Sequence, residues 1–343
     1  MPKFLILRFS SIGDIVLTTP VIRCLKQQVK DAEVHYCTRD AYSEIIEHNP
    51  YIDKKIYLGH DVSALIDLLK KENYDYVIDL HHNLRTWMIK MKLGITHFGL
   101  QRNPPKAFSF RKLNFEKWLL VNFKINRLPP VHLVNRYLET VNSFGVQNDG
   151  CGLDYFISGK DESVLQQLPP SHQNGYIGFV IGAKHFTKQL PAEKIISICK
   201  KINQPVVLFG GVEDIAKGET ITKGVNSQLA FDRLQLFNGC GKFSIGESAA
   251  LVKHASKIIT HDTGLMHIAA AFKKEIISIW GNTVPEFGMT PYYGNQQIRN
   301  TPFEIRNLYC RPCTKIGFDK CPKQHFRCMM EQDEQKIADA IVS

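Results

Sequence analysis

The sequence predicts an α/β protein made of two similar, doubly wound halves, and three observations carry the prediction. Apolar strand-like runs alternate with helical stretches almost throughout, the pattern of a parallel sheet with helices on both faces. The 343 residues are enough for two domains, each with its own core. A Pro169-Pro170-Ser171-His172 linker separates one alternating series from the next. The expected division is 1–170, 171–330 and a terminal helix over 331–343, whose Ile337 and Ile341 share a face and which packs locally or returns to the first domain. Sheets of this kind take ligands beyond the carboxyl ends of their strands, and two such halves imply a cleft.

In the first half, strands are expected near Lys3 to Leu7, Val34 to Thr38, Lys55 to Leu58, Tyr76 to Leu80 and Thr96 to Gly99. Helices are expected over Asp14 to Val29, Val62 to Glu72, Leu84 to Leu93, Phe115 to Phe123 and Leu133 to Phe144. The second half places strands at Tyr176 to Gly182, Pro205 to Phe209, Lys257 to Thr260 and Glu275 to Trp280. Between them fall helices over Ala192 to Ile202, Ile215 to Thr222, Gly246 to His254 and Gly264 to Phe272.

With 44% hydrophobic and 22% charged residues the composition is that of a soluble globular protein. No apolar run approaches the roughly 20 residues that span a bilayer. Phe4 to Leu7 is interrupted at once by Arg8, as in a first strand and unlike a signal peptide, so a cytoplasmic protein is expected. The net charge of +10 calls for an acidic partner. Nucleic acid is not expected, because no zinc finger or RNP motif accompanies the charge. Between Arg85 and Arg127 ten cations face only Glu116, with Phe108, Phe110, Phe115 and Trp118 interleaved. That mixture points to an anionic amphiphile or the inner face of a membrane, against the plainer alternative of a solvated basic face.

The most informative turn is Thr260-His261-Asp262-Thr263-Gly264, where an apolar strand runs into an Ala-rich helix. Free N–H groups at a helix start favour a phosphate, and Gly264 lets a ligand approach the main chain. Asp262 and Thr263 are equally read as helix caps, and His267 follows one turn on. Gly182 to Pro191 also joins strand to helix and offers Lys184 and Lys188 to a phosphate, with Thr187 a further donor-site candidate. In Gly210-Gly211-Val212-Glu213, Glu213 can accept from ribose hydroxyls or merely begin a helix. The first half has a matching turn, Ser10-Ser11-Ile12-Gly13-Asp14, with no G-x-G-x-x-G. There Asp14 is a cap or a base for a substrate hydroxyl.

Taken together, S-S-I-G-D, the K-x-x-P after Gly182-Ala183, G-G-x-E, D-T-G-L-M-H, and G-N-T-x-P followed by P-Y-Y-G resemble family 9 glycosyltransferases, the lipopolysaccharide heptosyltransferases, over nearly the whole chain. The resemblance implies a GT-B fold of two Rossmann-like domains facing across a cleft, with the acceptor on the first and a nucleotide-sugar donor, ADP-heptose, on the second. It gives Asp14 the role of general base and Lys188 that of the cation on the donor pyrophosphate. Glu213 becomes a ribose-binding acid and Asp262, Thr263, Gly264 and His267 the donor turn. Ser10, Ser11 and Gly13 belong to the acceptor-side loop. Ala183 and Lys184 stand where the family often has hydroxyl residues, and Phe243 where an apolar residue contacts the base.

The implied reaction is inverting transfer of heptose to the inner core of a lipid-linked acceptor, with no cofactor. No D-x-D marks a metal site for the diphosphate, so metal-independent transfer is expected. A nucleotide-sugar epimerase of the same architecture and a non-catalytic nucleotide-sugar-binding protein are the alternatives. Cys310, Cys313, Cys321 and Cys328, with His325 nearby, fit a structural zinc site, although their gaps of seven and six residues are short for a zinc ribbon. Buried reduced thiols fit the same pattern, and disulfides fit the cytoplasm least.

Overall fold

The computed structural model describes residues 1–59, 61–95, 104–226 and 236–342. The chain forms two compact units. The first comprises Met1–Lys112, Val131–Phe156 and Gly294–Gln296. Its sheet holds β1 (Lys3–Leu7), β2 (Glu33–Arg39), β3 (Lys54–Leu58), β4 (Tyr76–Asp79) and β5 (Lys106–Ser109) in the order β3-β2-β1-β4-β5, with every pair parallel. The strand expected at Thr96 to Gly99 lies outside the described residues. β1 is central and wholly apolar after Lys3 because both its faces are covered, so Phe4, Leu5, Ile6 and Leu7 are all buried.

The single helix expected over Asp14 to Val29 is two helices, α1 (Ile12–Val16) and α2 (Thr19–Gln28). Pro20 explains the break: it lacks an N–H, and its ring would collide with the Val16 carbonyl if one helix ran through, whereas it is tolerated in a first turn. There follow α3 (Val62–Lys71), α4 (Leu84–Lys92), α5 (Asn114–Phe123) and α6 (Leu133–Leu138). Among these α5 groups with the second unit. The first unit regains the chain at Gly294–Gln296, where Gly294 has φ +65° and a Cβ would lie 2.0 Å from the Gly150 carbonyl oxygen. Only glycine fits there, which accounts for the last residue of the P-Y-Y-G motif.

The second unit comprises Leu113–Pro130, Ile157–Tyr293 and Gln297–Ser343, so its boundaries differ from a single cut at 170. Its sheet holds β6 (Ile177–Val180), β7 (Val206–Phe209), β8 (Leu236–Asn238), β9 (Lys257–His261), β10 (Glu275–Trp280) and β11 (Asn300–Glu304) in the order β11-β10-β9-β6-β7-β8, again all parallel. The helices are α7 (Gly159–Glu162), α8 (Ala192–Cys199), α9 (Ile215–Asn226), α10 (Ile245–His254), α11 (Gly264–Ala271), α12 (Arg327–Met330) and α13 (Glu334–Val342). The terminal helix α13 packs on α8 and β10, with Ile337 and Ile341 in the second unit's core. Among the described residues no helix is long and apolar enough to cross a membrane.

Candidate active site

In the first unit the chemistry gathers where β1 and β4 end. Arg8 leaves β1 and turns inward, where its guanidinium donates to the Ser10 carbonyl at 2.8 Å, the Leu80 carbonyl at 2.5 Å and the Tyr137 hydroxyl at 2.9 Å. It also pairs with Asp14 Oδ1 at 2.7 Å. Burial works against the Arg8 charge, but Asp14 together with Tyr137 and Tyr36 more than restores it, so the pKa is raised overall. The other Asp14 oxygen accepts from the Ser11 hydroxyl at 2.9 Å and from the Ser11 N–H at 3.3 Å. Asp14 is thus both a helix-start acid and a carboxylate held in place from two sides. Gly13 is buried in α1 beside it, while Ser10 is half-buried and Ser11 exposed.

His81 leaves β4 at the same end, its ring edge-on to Phe9 at 5.6 Å. Burial lowers its pKa to about 4, helped by Arg8 and Lys112 and opposed by Asp79 and Asp14. At neutral pH it is therefore an uncharged imidazole. Arg8, His81 and Tyr137 were not anticipated, yet the first two follow strands directly, where ligands of such sheets bind.

In the second unit Lys188 Nζ lies 2.6 Å from Asp262 Oδ2. That oxygen also accepts from the Thr283 hydroxyl at 2.9 Å. Thr283 is held in turn, because Arg311 donates to the Gly281 carbonyl at 2.7 Å and to its own at 2.9 Å and pairs with Glu304 at 2.7 Å. The arginine of C-R-P-C therefore supports the lysine through the β10 turn. The loop from Gly182 to Leu190 is fixed from within. Gln189 donates to the Ala183 carbonyl at 2.6 Å, Lys217 donates to Gln189 Oε1 at 3.0 Å and to the Ile181 carbonyl at 3.1 Å, and the Leu190 N–H donates to His261 Nε2 at 2.9 Å. Burial pulls Lys217 down to about 8 and His261 to about 3, so His261 is a neutral acceptor. Such preorganisation matters where charge must be met without rearrangement.

Thr187, expected at the donor site, is buried, with its hydroxyl donating to the Phe318 carbonyl at 3.2 Å and accepting from the Phe318 N–H at 2.8 Å. Lys184 and Glu213 are exposed. The neighbour of Glu213, Asp214, is the buried acid of that turn: it accepts from the Gly211 N–H at 3.0 Å, and burial raises its pKa. A Cβ on Gly182 would lie 1.9 Å from its carboxylate. Thr263 precedes α11 in extended conformation, with no side-chain capping bond, and Gly264 opens the helix; both are half-buried, with His267 buried on the next turn. Phe243 is half-buried, stacked on Phe237 with ring centroids 6.2 Å apart.

The basic, aromatic-rich segment divides between the units. Lys106 and Phe108 lie in β5 and Phe110 is buried, whereas α5 belongs to the second unit, with Phe115, Trp118 and Phe123 exposed. Lys124 is tied to the Pro312 carbonyl at 2.7 Å, and Lys117 lies over the Phe287 ring. No disulfide joins any of the nine cysteines. Cys310 Sγ is 3.8 Å from His325 Nε2, and burial, reinforced by neighbouring thiols, pushes Cys313 up to about 11 and Cys328 to about 12. Among the described residues, Glu33, His35 and Glu72 bring three ligand atoms within 4.8 Å, but Lys3 and Lys54 already pair with the carboxylates.

Residues 62–317 match the model of glycosyltransferase family 9 (heptosyltransferase). This chain belongs to that family. It is 28% identical to lipopolysaccharide heptosyltransferase 1 of Campylobacter coli over 311 residues, covering 85% of this chain and 86% of the relative. The structure of the Escherichia coli ADP-heptose lipopolysaccharide heptosyltransferase II superposes with a TM-score of 0.72 at 18% identity, covering 99% of this chain and 97% of that one. E. coli heptosyltransferase WaaC with ADP-2-deoxy-2-fluoro heptose gives 0.64 at 16% identity, covering 99% of both. The two parallel-sheet α/β units of this family 9 glycosyltransferase are those of the GT-B fold.

Proposed function

We propose that the protein moves a heptose from ADP-heptose to the inner core of lipopolysaccharide, on a Kdo-lipid A type acceptor, with inversion and without a metal. The observation that carries this is Lys188, a partly buried ammonium fixed by Asp262 and Thr283 beside the start of α11. The heptosyltransferase relative and the ADP-heptose named for solved family members supply the sugar and the nucleotide.

In the proposed reaction the acceptor oxygen forms a bond to the anomeric carbon as the bond from that carbon to the diphosphate oxygen breaks. Asp14 takes the acceptor proton, and ADP leaves with the electron pair. Negative charge grows on the diphosphate, where Lys188 and the N–H groups at Thr263 and Gly264 stabilise it. Arg8 holds Asp14 in position, and neutral His81 beside it orients the acceptor hydroxyl. Glu213 accepts from the ribose, Phe243 packs on the base, and Lys184 adds charge near the phosphates. The exposed aromatics of α5, with the cations from Lys106 to Lys124, gather the anionic acceptor at the inner membrane.

Incubation with ADP-heptose and other nucleotide sugars, with and without Kdo-lipid A, tests the proposal. Transfer and ADP release that both require acceptor are expected. Conversion of the donor sugar without acceptor means an epimerase, and nucleotide binding with neither reaction means a binding protein.

A further inference from the structure

Helix α4 carries an apolar stripe on the side away from its core. Its inward residues, Thr86, Ile89 and the following Leu93, are buried in the first unit. On the other side Leu84 is 72% exposed, Trp87 54%, Met88 41% and Met91 40%. These four stand at i, i+3, i+4 and i+7, one continuous face. A helix apolar on both faces belongs in a setting that covers both, and a contiguous exposed patch of large apolar side chains marks an interaction surface.

The helix is held rigidly. Asn83 caps it by accepting from the Thr86 N–H at 3.0 Å, and Lys90 is pinned to Asp79 at 2.7 Å and to Ser109 at 2.9 Å. Charge identifies what covers the stripe. From residue 80 to 115 the sequence contains no Asp or Glu, while Arg85, Lys90, Lys92, Lys106, Arg111 and Lys112 all fall there. Trp beside Met and Leu, with cations at the margins, is the composition of a helix lying in a lipid interface. The stripe also starts beside the Asp14 loop, since Arg85 stacks over Phe9 at 5.9 Å and Phe9 meets His81.

We infer that the exposed face of α4 seats the first unit on an anionic membrane surface, so that a lipid-linked acceptor is presented where β1 and β4 end. The purpose given to this contact rests on the proposed acceptor role of the first unit; the contact itself needs no turnover.

Sedimentation of the full chain with vesicles of phosphatidylglycerol and phosphatidylcholine, and with phosphatidylcholine alone, tests it. Binding to the anionic vesicles that weakens with salt is expected. Trp87→Gln with Met91→Gln should lower the partition coefficient about tenfold, and Lys92→Gln about fivefold. Trp118→Gln with Phe123→Gln on α5 should lower it by less. Unchanged ADP affinity and unchanged thermal unfolding confirm that the variants are folded. The inference is overturned if the α4 variants bind as the parent does, if the parent binds neither vesicle at low salt, or if Trp87→Gln with Met91→Gln instead converts a dimer in solution to a monomer. If vesicle binding follows α4 while no heptose is transferred, the membrane contact stands and the proposed reaction fails.

Discussion

Both candidate sites are built on a cation–carboxylate pair at strand ends, with the fixed partner reversed. In the first unit the cation is the anchor: Arg8 is buried and bound to two carbonyls and a tyrosine, and it offers the more exposed Asp14. In the second the carboxylate is the anchor: Asp262 is held by Thr283 and offers Lys188. One sheet end thus presents a carboxylate and the other a cation, although both pairs have similar separations of 2.7 and 2.6 Å. The chemistry each side can do depends on which member the surrounding hydrogen bonds immobilise.

The sharpest way to break this comparison is Asp14→Ala. If Asp14 is the offered base, turnover should fall on the order of 10²- to 10⁴-fold. ADP affinity measured by calorimetry should hardly move. Near-normal turnover would reduce Asp14 to the helix cap that its bonds to Ser11 also describe. Asp14→Asn keeps much of the capping geometry, so an equal loss in that variant separates charge from shape.

For the second pair, Lys188→Ala should weaken ADP binding by about 10- to 100-fold, the worth of a hydrogen bond to a charged group. AMP should lose less, because the proposed contact is with the diphosphate. Equal losses for ADP and AMP would make Lys188 a structural partner of Asp262, and the reversal between the sites would then be coincidental.

The central strands β1, β2, β4, β6, β7, β9 and β10 were legible because each is paired on both sides and, β2 apart, reads as a mainly apolar run. The strands that sequence reasoning missed, β5, β8 and β11, are all at sheet edges. β11 contains Pro302 and Glu304, and β8 has only three residues; an edge needs no continuous apolar run. Among candidate-site residues, the positions of Asp14, Lys188 and Asp262 at strand ends were legible from strand-turn-helix context. The anchors were not. Arg8 looks like an interruption of an apolar strand, and Arg311 hides inside a motif whose cysteines draw attention to metal and redox chemistry. Two of the carbonyl partners of Arg311, Gly281 and Thr283, lie in the G-N-T-x-P motif, but nothing in that motif points to an arginine so far along the chain.

A smaller effect is expected at the floor of the second site. Gly182→Ala places a methyl group 1.9 Å from the Asp214 carboxylate, which is already bound to the Gly211 N–H. Overpacking of this kind costs about 1–3 kcal/mol, readable by urea denaturation. Unchanged stability would mean that Asp214 swings aside freely, and that the second site is less tightly anchored than the first.

The finest distinction concerns Lys217, which links Ile181 to Gln189 beneath the Lys188 loop. Burial lowers its pKa from 10.5 to about 8. Below pH 8 the amine is charged in both the folded and the unfolded chain, and the folded state bears the full cost of burying that charge. Between pH 8 and 10.5 the unfolded chain keeps the proton while the folded one sheds it, so this group makes stability rise with pH across that window. The rise should be on the order of 1–2 kcal/mol after allowance for solvent screening. Lys217→Met should abolish this increment in unfolding measured from pH 7 to 10, while also loosening the Gly182–Gln189 turn and weakening ADP binding a few-fold. An identical pH slope in the variant would show that Lys217 is not the buried amine that holds the loop. A lost slope with unaltered ADP affinity would show that Asp262 and Thr283 alone suffice to hold Lys188, making the second pair as self-contained as Arg8 and Asp14.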